Sequence, residues 1–245
     1  IEHDITHIIR GEAHVTNSAA QIQLFEALGS SAPTMGHVAL LAGADGEGLS
    51  KRLGSLSISA LRQDGIEPVA IASLLARIGT ADPIVPQRQL AAIIDSFDLG
   101  KFGRATAKFD PSELAKLNTQ IVQELDFADV ESRLTDRGVR GGAEFWLAVR
   151  GNLATLDEAR IWWDICTQPL TPVIDAPTVT NAAAALLPTG NLDNDIWSFW
   201  TKSIAAETGV KGKGLFMPLR LALTGRGAGP EIAPLLPIMG RERVF

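Results

Sequence analysis

The 245 residues carry 46% hydrophobic side chains and 20% charged ones, enough apolar mass for one large domain or two to three small ones with real cores, which excludes a disordered chain. A balance of 22 Lys and Arg against 28 Asp and Glu leaves a net charge of −6 and excludes a whole-surface attraction to nucleic acid. A local patch stays open, because Trp200 to Phe245 holds seven basic and three acidic residues.

In chain order, "DITHIIRG" has the β-branched density of a short buried strand. The following "VTNSAAQIQLFEALG" predicts a helix capped by Asn17 or Ser18, with an apolar face of Ile22, Leu24, Phe25 and Leu28 and a stop at Gly29. After Pro33 comes a second apolar stretch, "GHVALLAG", and then the loop "GEGLSKRLGSLS". This order of strand, helix, strand and loop is one α/β unit. From Ser57 the pattern turns helical through "ISALRQDGI", "EPVAIASLLARIG", where Pro68 sits near a helix start, and "PQRQLAAIIDSF". No further strand signal of comparable strength follows.

A boundary is expected around "FGRATAKFDPSELAKLN", which leads to Asp110 as N-cap and Pro111 as first helical residue. Beyond it, "SELAKLNTQIVQEL", "FADVESRL", "AEFWLAVRGNL", "LDEARIWWDICT", "TVTNAAAALL", "NDIWSFWTKSIAAETG", "GLFMPLRLALTG" and "EIAPLLPIMG" predict an all-helical second half without internal repeat. The two prolines of "TPVIDAPT" mark a hinge between two helical subdomains. The five tryptophans, Trp146, Trp162, Trp163, Trp197 and Trp200, recur at helical spacing and read as core rather than as base-stacking surface.

Cys166 is the only cysteine, which excludes an internal disulfide framework and a cysteine-based zinc site and fits a reducing compartment. No apolar run has the length of a membrane span, and "IEHDITHIIRGEAH" has neither the basic start nor the apolar core of a signal peptide. That opening reads as the middle of a domain, so the chain is expected to be a fragment or to be preceded by further residues. His3, His7, His14 and His37 form no metal-ligand spacing, and a structural role is expected for three of them. The Ser-Lys-Arg triplet from Ser50 to Arg52, inside a glycine-containing loop, is open to two readings from its residues alone: a solvated turn, or a contact with polyphosphate.

Taken in order and spacing, "IIRGEAHVTN", "HVALLAGADGEGLSKRLGSLS" and "GLFMPLRLALTGRGAGPEIAPLLPIMGRERVF" resemble the glutamyl-tRNA synthetases, class I aminoacyl-tRNA ligases, over essentially all 245 residues. Members carry a strand close to Ile-Arg-Gly-Glu-Asp-His and a variant of a Lys-Met-Ser-Lys-Ser loop, here Gly48-Leu49-Ser50-Lys51-Arg52. The resemblance implies a mainly α protein with a short α/β remnant of a Rossmann-like nucleotide-binding domain. Its expected divisions are residues 1–56, the C-terminal part of the catalytic domain with the Ser-Lys loop; 57–109, a stem-contact domain; and 110–245, an α-helical anticodon-binding region with a break near 172–178. It implies ATP-dependent activation of L-glutamate and transfer to tRNA(Glu), with tRNA(Gln) a further candidate. The chain is expected to be cytoplasmic and monomeric, with Mg2+ accompanying ATP as substrate and with no protein-bound zinc, DNA or membrane partner.

By the same resemblance Lys51 would stabilise charge on the α-phosphate of ATP, and Ser50 would donate to a phosphate oxygen. Gly46, Gly48 and Gly54 would let that loop close and reopen. Arg10 would pair with the glutamate carboxylate, and His14 and Leu41 would lie beside the adenine; His14 by itself also reads as an ordinary strand-end histidine. In the tail, Lys211, Lys213, Arg220 and Arg226, with Pro230, would meet the anticodon arm, and Lys202, Arg241 and Arg243 would add phosphate contacts. The competing reading of these cations is helix C-terminal capping favoured by the macrodipole. Asn152 falls near a position where members strict for glutamate tRNA carry Arg.

Three departures from the family pattern bear on activity: Ala13 replaces an acidic residue, Gly48 replaces the first lysine of the loop, and no His-x-Gly-His string occurs. They favour, as the alternative, a non-catalytic tRNA-binding module or a paralogue without a complete ATP site. The fragment alone is expected to be inactive in amino-acid activation.

Overall fold

The computed structural model describes residues 2–43, 46, 48, 49, 56–193 and 195–245. The chain divides into two compact units, Ile1–Ile121 and Val122–Phe245.

In the first unit, β1 (His7–Gly11) and β2 (Thr34–Val38) pair in parallel, with α1 (Val15–Ala27) between them in sequence. This is the α/β unit expected from the alternation of apolar runs. Two details differ from expectation. α1 starts at Val15 with His14 as its N-cap residue, so Asn17 and Ser18 lie inside the first turns rather than capping. β1 and the apolar face of α1 are only partly covered: Ile8 and Phe25 are half-buried, while Ile9 is 52% exposed, Leu24 61% and Leu28 72%. A helix face reads as apolar in the sequence whether or not its cover belongs to the same described residues. The expected stop holds: Gly29, at φ 72°, supplies the left-handed turn, and the amides of Gly29 and Ser30 donate to the carbonyls of Glu26 and Phe25.

A second pair, β3 (Leu41–Gly43) with β4 (Ala107–Phe109), is also parallel. β4 corrects the expectation of no later strand. Three residues are too short to show alternation, and their pairing is defined by a partner more than 60 positions away. Between them lie α2 (Ile58–Gln63), α3 (Pro68–Leu75) and α4 (Leu90–Ser96). Ser57 caps α2 by accepting from the Ala60 amide at 3.1 Å, and Pro68 opens α3 as its missing donor allows. Asp110 accepts from the Ser112 amide at 2.8 Å and starts α5 (Pro111–Glu124) as expected. Asn118, almost fully buried on α5, accepts from the Glu67 amide at 2.8 Å and ties that helix to the turn before α3.

All elements described from Pro111 onward are helical: α5, α6 (Phe127–Asp136), α7 (Gly142–Val149), α8 (Glu158–Thr167), α9 (Pro177–Ala185), α10 (Ile196–Thr208), α11 (Lys213–Thr224) and α12 (Leu236–Val244), with short 3-10 turns. The fold is therefore mainly α with a small α/β part. Trp146, Trp162 and Trp200 are buried, in line with a core role, while Trp163 and Trp197 are half-buried. Trp146 Nε1 and Arg150 Nη1 each donate to the Leu125 carbonyl at 2.9 Å, satisfying an acceptor just past the end of α5. Phe145 is fully buried and meets Trp163 edge-to-face at 5.3 Å between centroids.

All five tryptophans lie in the second unit, so their fluorescence reports its unfolding selectively. Phe145→Ala is expected to destabilise that unit by about 3–5 kcal/mol, the range for emptying an aromatic core site. A denaturant titration followed by tryptophan emission checks it, and a shift below about 1 kcal/mol would contradict the packing described here.

Candidate amino-acid and RNA sites

Arg10 is the fourth residue of β1, and the parallel register sets it opposite His37 on β2. Adjacent parallel strands in register place such residues on one face of the sheet. α1 passes over this face with His14, Ser18 and Gln21 at three- and four-residue spacings, which align side chains along one stripe. The guanidinium donates from Nη1 to Gln21 Oε1 at 2.8 Å and from Nη2 to Ser18 Oγ, with a weak contact from Nη2 to Met35 Sδ at 3.5 Å. Ser18 Oγ also donates to the His14 carbonyl at 3.0 Å and lies 2.7 Å from His37 Nε2. Arg10 Nε is buried, with no hydrogen-bond partner among the described residues.

None of the described side chains bonded to Arg10 is acidic. Among the described residues its positive charge is oriented but not neutralised, an arrangement suited to a carboxylate or another small anion. His14 itself is exposed, with its ring Nδ1 3.5 Å from the Asn17 side-chain amide. Leu41 lines an apolar cavity of about 280 Å³ with Ile9, Ile78, Phe97, Phe102 and Ala107, a lining that includes neither Arg10 nor His14. Ser50, Lys51, Arg52 and Gly54 lie outside the described residues. Ser18, Gln21 and His37 were not singled out as site residues from the sequence. The stripe spacing on α1 and the in-register strand pair were the signals that could have found them.

The basic tail divides into two kinds of cation. Arg220 donates from Nη2 to the Pro230 carbonyl at 2.8 Å, Arg243 from Nη2 to the Leu223 carbonyl at 3.1 Å, and Arg241 to the Pro188 carbonyl. Burial lowers the pKa of Arg220, an effect opposed by the nearby Glu231 carboxylate. Of the three acceptors, Leu223 lies in the last turn of α11 and Pro188 and Pro230 lie in loops, so only the Arg243 bond serves a helix C-terminus. Pro230 is buried. Arg226 is exposed, its guanidinium 5.8 Å from the Trp162 ring centroid. The loop carrying it fits closely on that ring, since a Cβ at Gly229, φ 139°, would come within 2.2 Å of Trp162.

Lys202, Lys211 and Lys213 are exposed. Lys213 is the first residue of α11 and Lys211 precedes its N-cap Gly212, so both stand at the end where the helix dipole disfavours cations. Capping does not account for them; an anion shared with the helix N-terminus would. A cleft of about 690 Å³ in the same unit is lined by Asn152, Glu144, Asp193, Glu231, Pro234 and Pro237. Among the described residues, no group of three or more His, Cys, Asp or Glu could hold a metal ion, and no helix is long and apolar enough to cross a membrane.

Comparison with known proteins fits this layout. The family described as tRNA synthetases class I (E and Q), catalytic domain, matches residues 1–115, and an anticodon binding domain matches residues 175–245. A piece of that catalytic domain followed by an anticodon domain defines the class as class I aminoacyl-tRNA synthetase. The chain is 53% identical over 246 aligned positions to glutamate–tRNA ligase 1 of Maricaulis maris, covering all of this chain and 55% of that protein. It is 48% identical over 241 positions to glutamate–tRNA ligase 2 of Methylobacterium radiotolerans, covering 98% of this chain and 54% of that one. The crystal structure of a glutamate tRNA ligase from Elizabethkingia meningosepticum, in complex with its amino acid, shares the fold, with a TM-score of 0.77 at 23% identity over 99% of this chain and 56% of that one. The chain is similar to glutamate–tRNA ligases along essentially its whole length, and it spans about half the length of the relatives it matches.

Cys166 is fully buried on α8, and burial pushes its thiol up to about 12 against the opposing effect of Arg243. It should be inert as a nucleophile or ligand at neutral pH. The sign of the linkage follows: the unfolded chain loses the thiol proton at lower pH than the fold, so this group's effect is neutral below the ordinary thiol range and destabilising as pH climbs above it. Labelling with a disulfide reagent at pH 8 is expected to be slow in the native protein and complete in denaturant. Rapid native labelling would contradict the burial.

Proposed function

We propose that this chain is the loop-bearing and tRNA-binding part of a glutamate–tRNA ligase, which activates L-glutamate with ATP and transfers it to tRNA(Glu), with tRNA(Gln) as a further acceptor. The observation that carries the reading is the pair of exposed lysines, Lys211 and Lys213, at the N-terminal end of α11 within the segment that matches an anticodon binding domain. Cations there gain from a phosphate and from little else. The un-neutralised Arg10 supports a carboxylate substrate at the α/β unit.

In this reading Arg10 takes the glutamate carboxylate, while His14 and Leu41 border the adenine. Lys51 and Ser50 meet the ATP phosphates, where charge grows as the glutamate carboxylate attacks the α-phosphorus and pyrophosphate leaves. Mg2+ arrives with ATP. Lys211, Lys213 and Arg226 face the anticodon arm, and Arg220 and Pro230 shape the loop beside it through their mutual hydrogen bond. The division into a catalytic part at 1–56, a stem-contact part at 57–109 and an anticodon-binding region at 110–245 with a break near 172–178 belongs to the same proposal. So do a monomeric state and a cytoplasmic location. A second reading, a tRNA-binding module without activation, is favoured by two specific residues, Ala13 and Gly48, which depart from the family pattern.

Replacing Lys211 and Lys213 together by Ala is expected to weaken tRNA(Glu) binding and to reduce the slope of log affinity against log salt by roughly 1.4–1.8, about 0.7–0.9 for each lost phosphate contact. ATP–pyrophosphate exchange should be unchanged. Affinity measured across a salt series beside a melting curve decides it. An unaltered slope would remove the lysines from the RNA interface.

A further inference from the structure

We propose that Ser18 is a positioning residue for Arg10, and that His37, through its Nε2 proton, completes the arrangement. The inference rests on the reading of Arg10 as the carboxylate-binding group. Ser18 sits one turn into α1 and is 94% buried, at an interior helix position that serine does not favour. Its hydroxyl has one proton and two lone pairs. The proton goes to the His14 carbonyl at 3.0 Å, so both remaining contacts must be accepted: one from Arg10 Nη2 and one from His37 Nε2 at 2.7 Å. That count leaves no spare valence on Oγ, and it requires His37 to carry its proton on Nε2.

The consequence is directional. Arg10 is held at Nη1 by Gln21 and at Nη2 by Ser18, two neutral groups on one helix, so its plane is fixed while its charge remains available. A second N–H on Nη1 is left for a ligand, while Nε is buried and has no partner among the described residues. A guanidinium oriented before the ligand arrives loses less freedom on binding a carboxylate than a mobile one. Ser18 therefore acts on amino-acid affinity through Arg10, without touching the substrate or the ATP phosphates. A threonine would keep the oxygen and its three contacts, whereas alanine would leave Arg10 Nη2 and His37 Nε2 without an acceptor.

The test uses the full-length protein in ATP–pyrophosphate exchange. Ser18→Ala is expected to raise KM for glutamate about tenfold, the scale of one lost hydrogen bond to a charged group, with KM for ATP unchanged and kcat within about twofold. Ser18→Thr is expected to restore KM, which a role in helix packing alone would not require. His37→Phe, which removes the Nε2 donor, should raise KM in the same direction by less. Arg10→Ala separates the two levels of the claim. If Arg10→Ala raises KM for glutamate but Ser18→Ala does not, the positioning role is wrong and the reading of Arg10 stands. If Arg10→Ala leaves KM for glutamate unchanged, the reading of Arg10 is itself wrong and the positioning role falls with it. Equal loss in kcat and in both KM values for Ser18→Ala, unrelieved by Thr, would also overturn the inference.

Discussion

The parallel pairing of β1 with β2, in the register that sets Arg10 against His37, is the constraint on which the candidate amino-acid site depends. A slip of one residue would turn Arg10 to the opposite face and bring Ile9 to the face occupied by α1. The hydrogen bonds from α1 then fix what the register has placed. Gln21 and Ser18 reach the guanidinium from one helical stripe, and Ser18 links it to the second strand through His37. Strand register, helix phase and guanidinium orientation are one set of conditions.

A similar economy governs the tail. Arg220, Arg241 and Arg243 use their donors on backbone carbonyls and so belong to the fold of the second unit. Lys211 and Lys213 make no such bond among the described residues and stand where the α11 dipole opposes them. The sign of charge is the same for both groups; what distinguishes them is whether a backbone carbonyl takes up the donors. The segment net charge, which first singled out this tail, is therefore an overestimate of the surface available to a polyanion.

Much of the fold was legible in the sequence because local signals and tertiary outcome agree. Asp110 and Pro111 start α5, Pro68 starts α3, Gly29 ends α1, and the second half alternates helices with Pro and Gly breaks where the sequence placed them. What was not legible depends on distant partners. β4 exists because Leu41–Gly43 pairs with it, and the exposure of Ile9, Leu24 and Leu28 depends on what covers them rather than on their own periodicity. At the site, Arg10 was singled out by its motif. Ser18 was taken as a possible cap and His37 as structural, because the register that sets His37 opposite Arg10 is a property of two strands and cannot be read from either one.

The central claim is that the face carrying Arg10, Ser18 and Gln21 receives a carboxylate amino acid. Hydrogen exchange of the full-length protein with and without L-glutamate tests it most directly, since amides of β1 and of the first turns of α1 should slow when the ligand engages Arg10. The account predicts added protection across residues 8–21 with glutamate, absent with L-glutamine at the same concentration. Unchanged exchange in this segment, or equal protection by both amino acids, would contradict it.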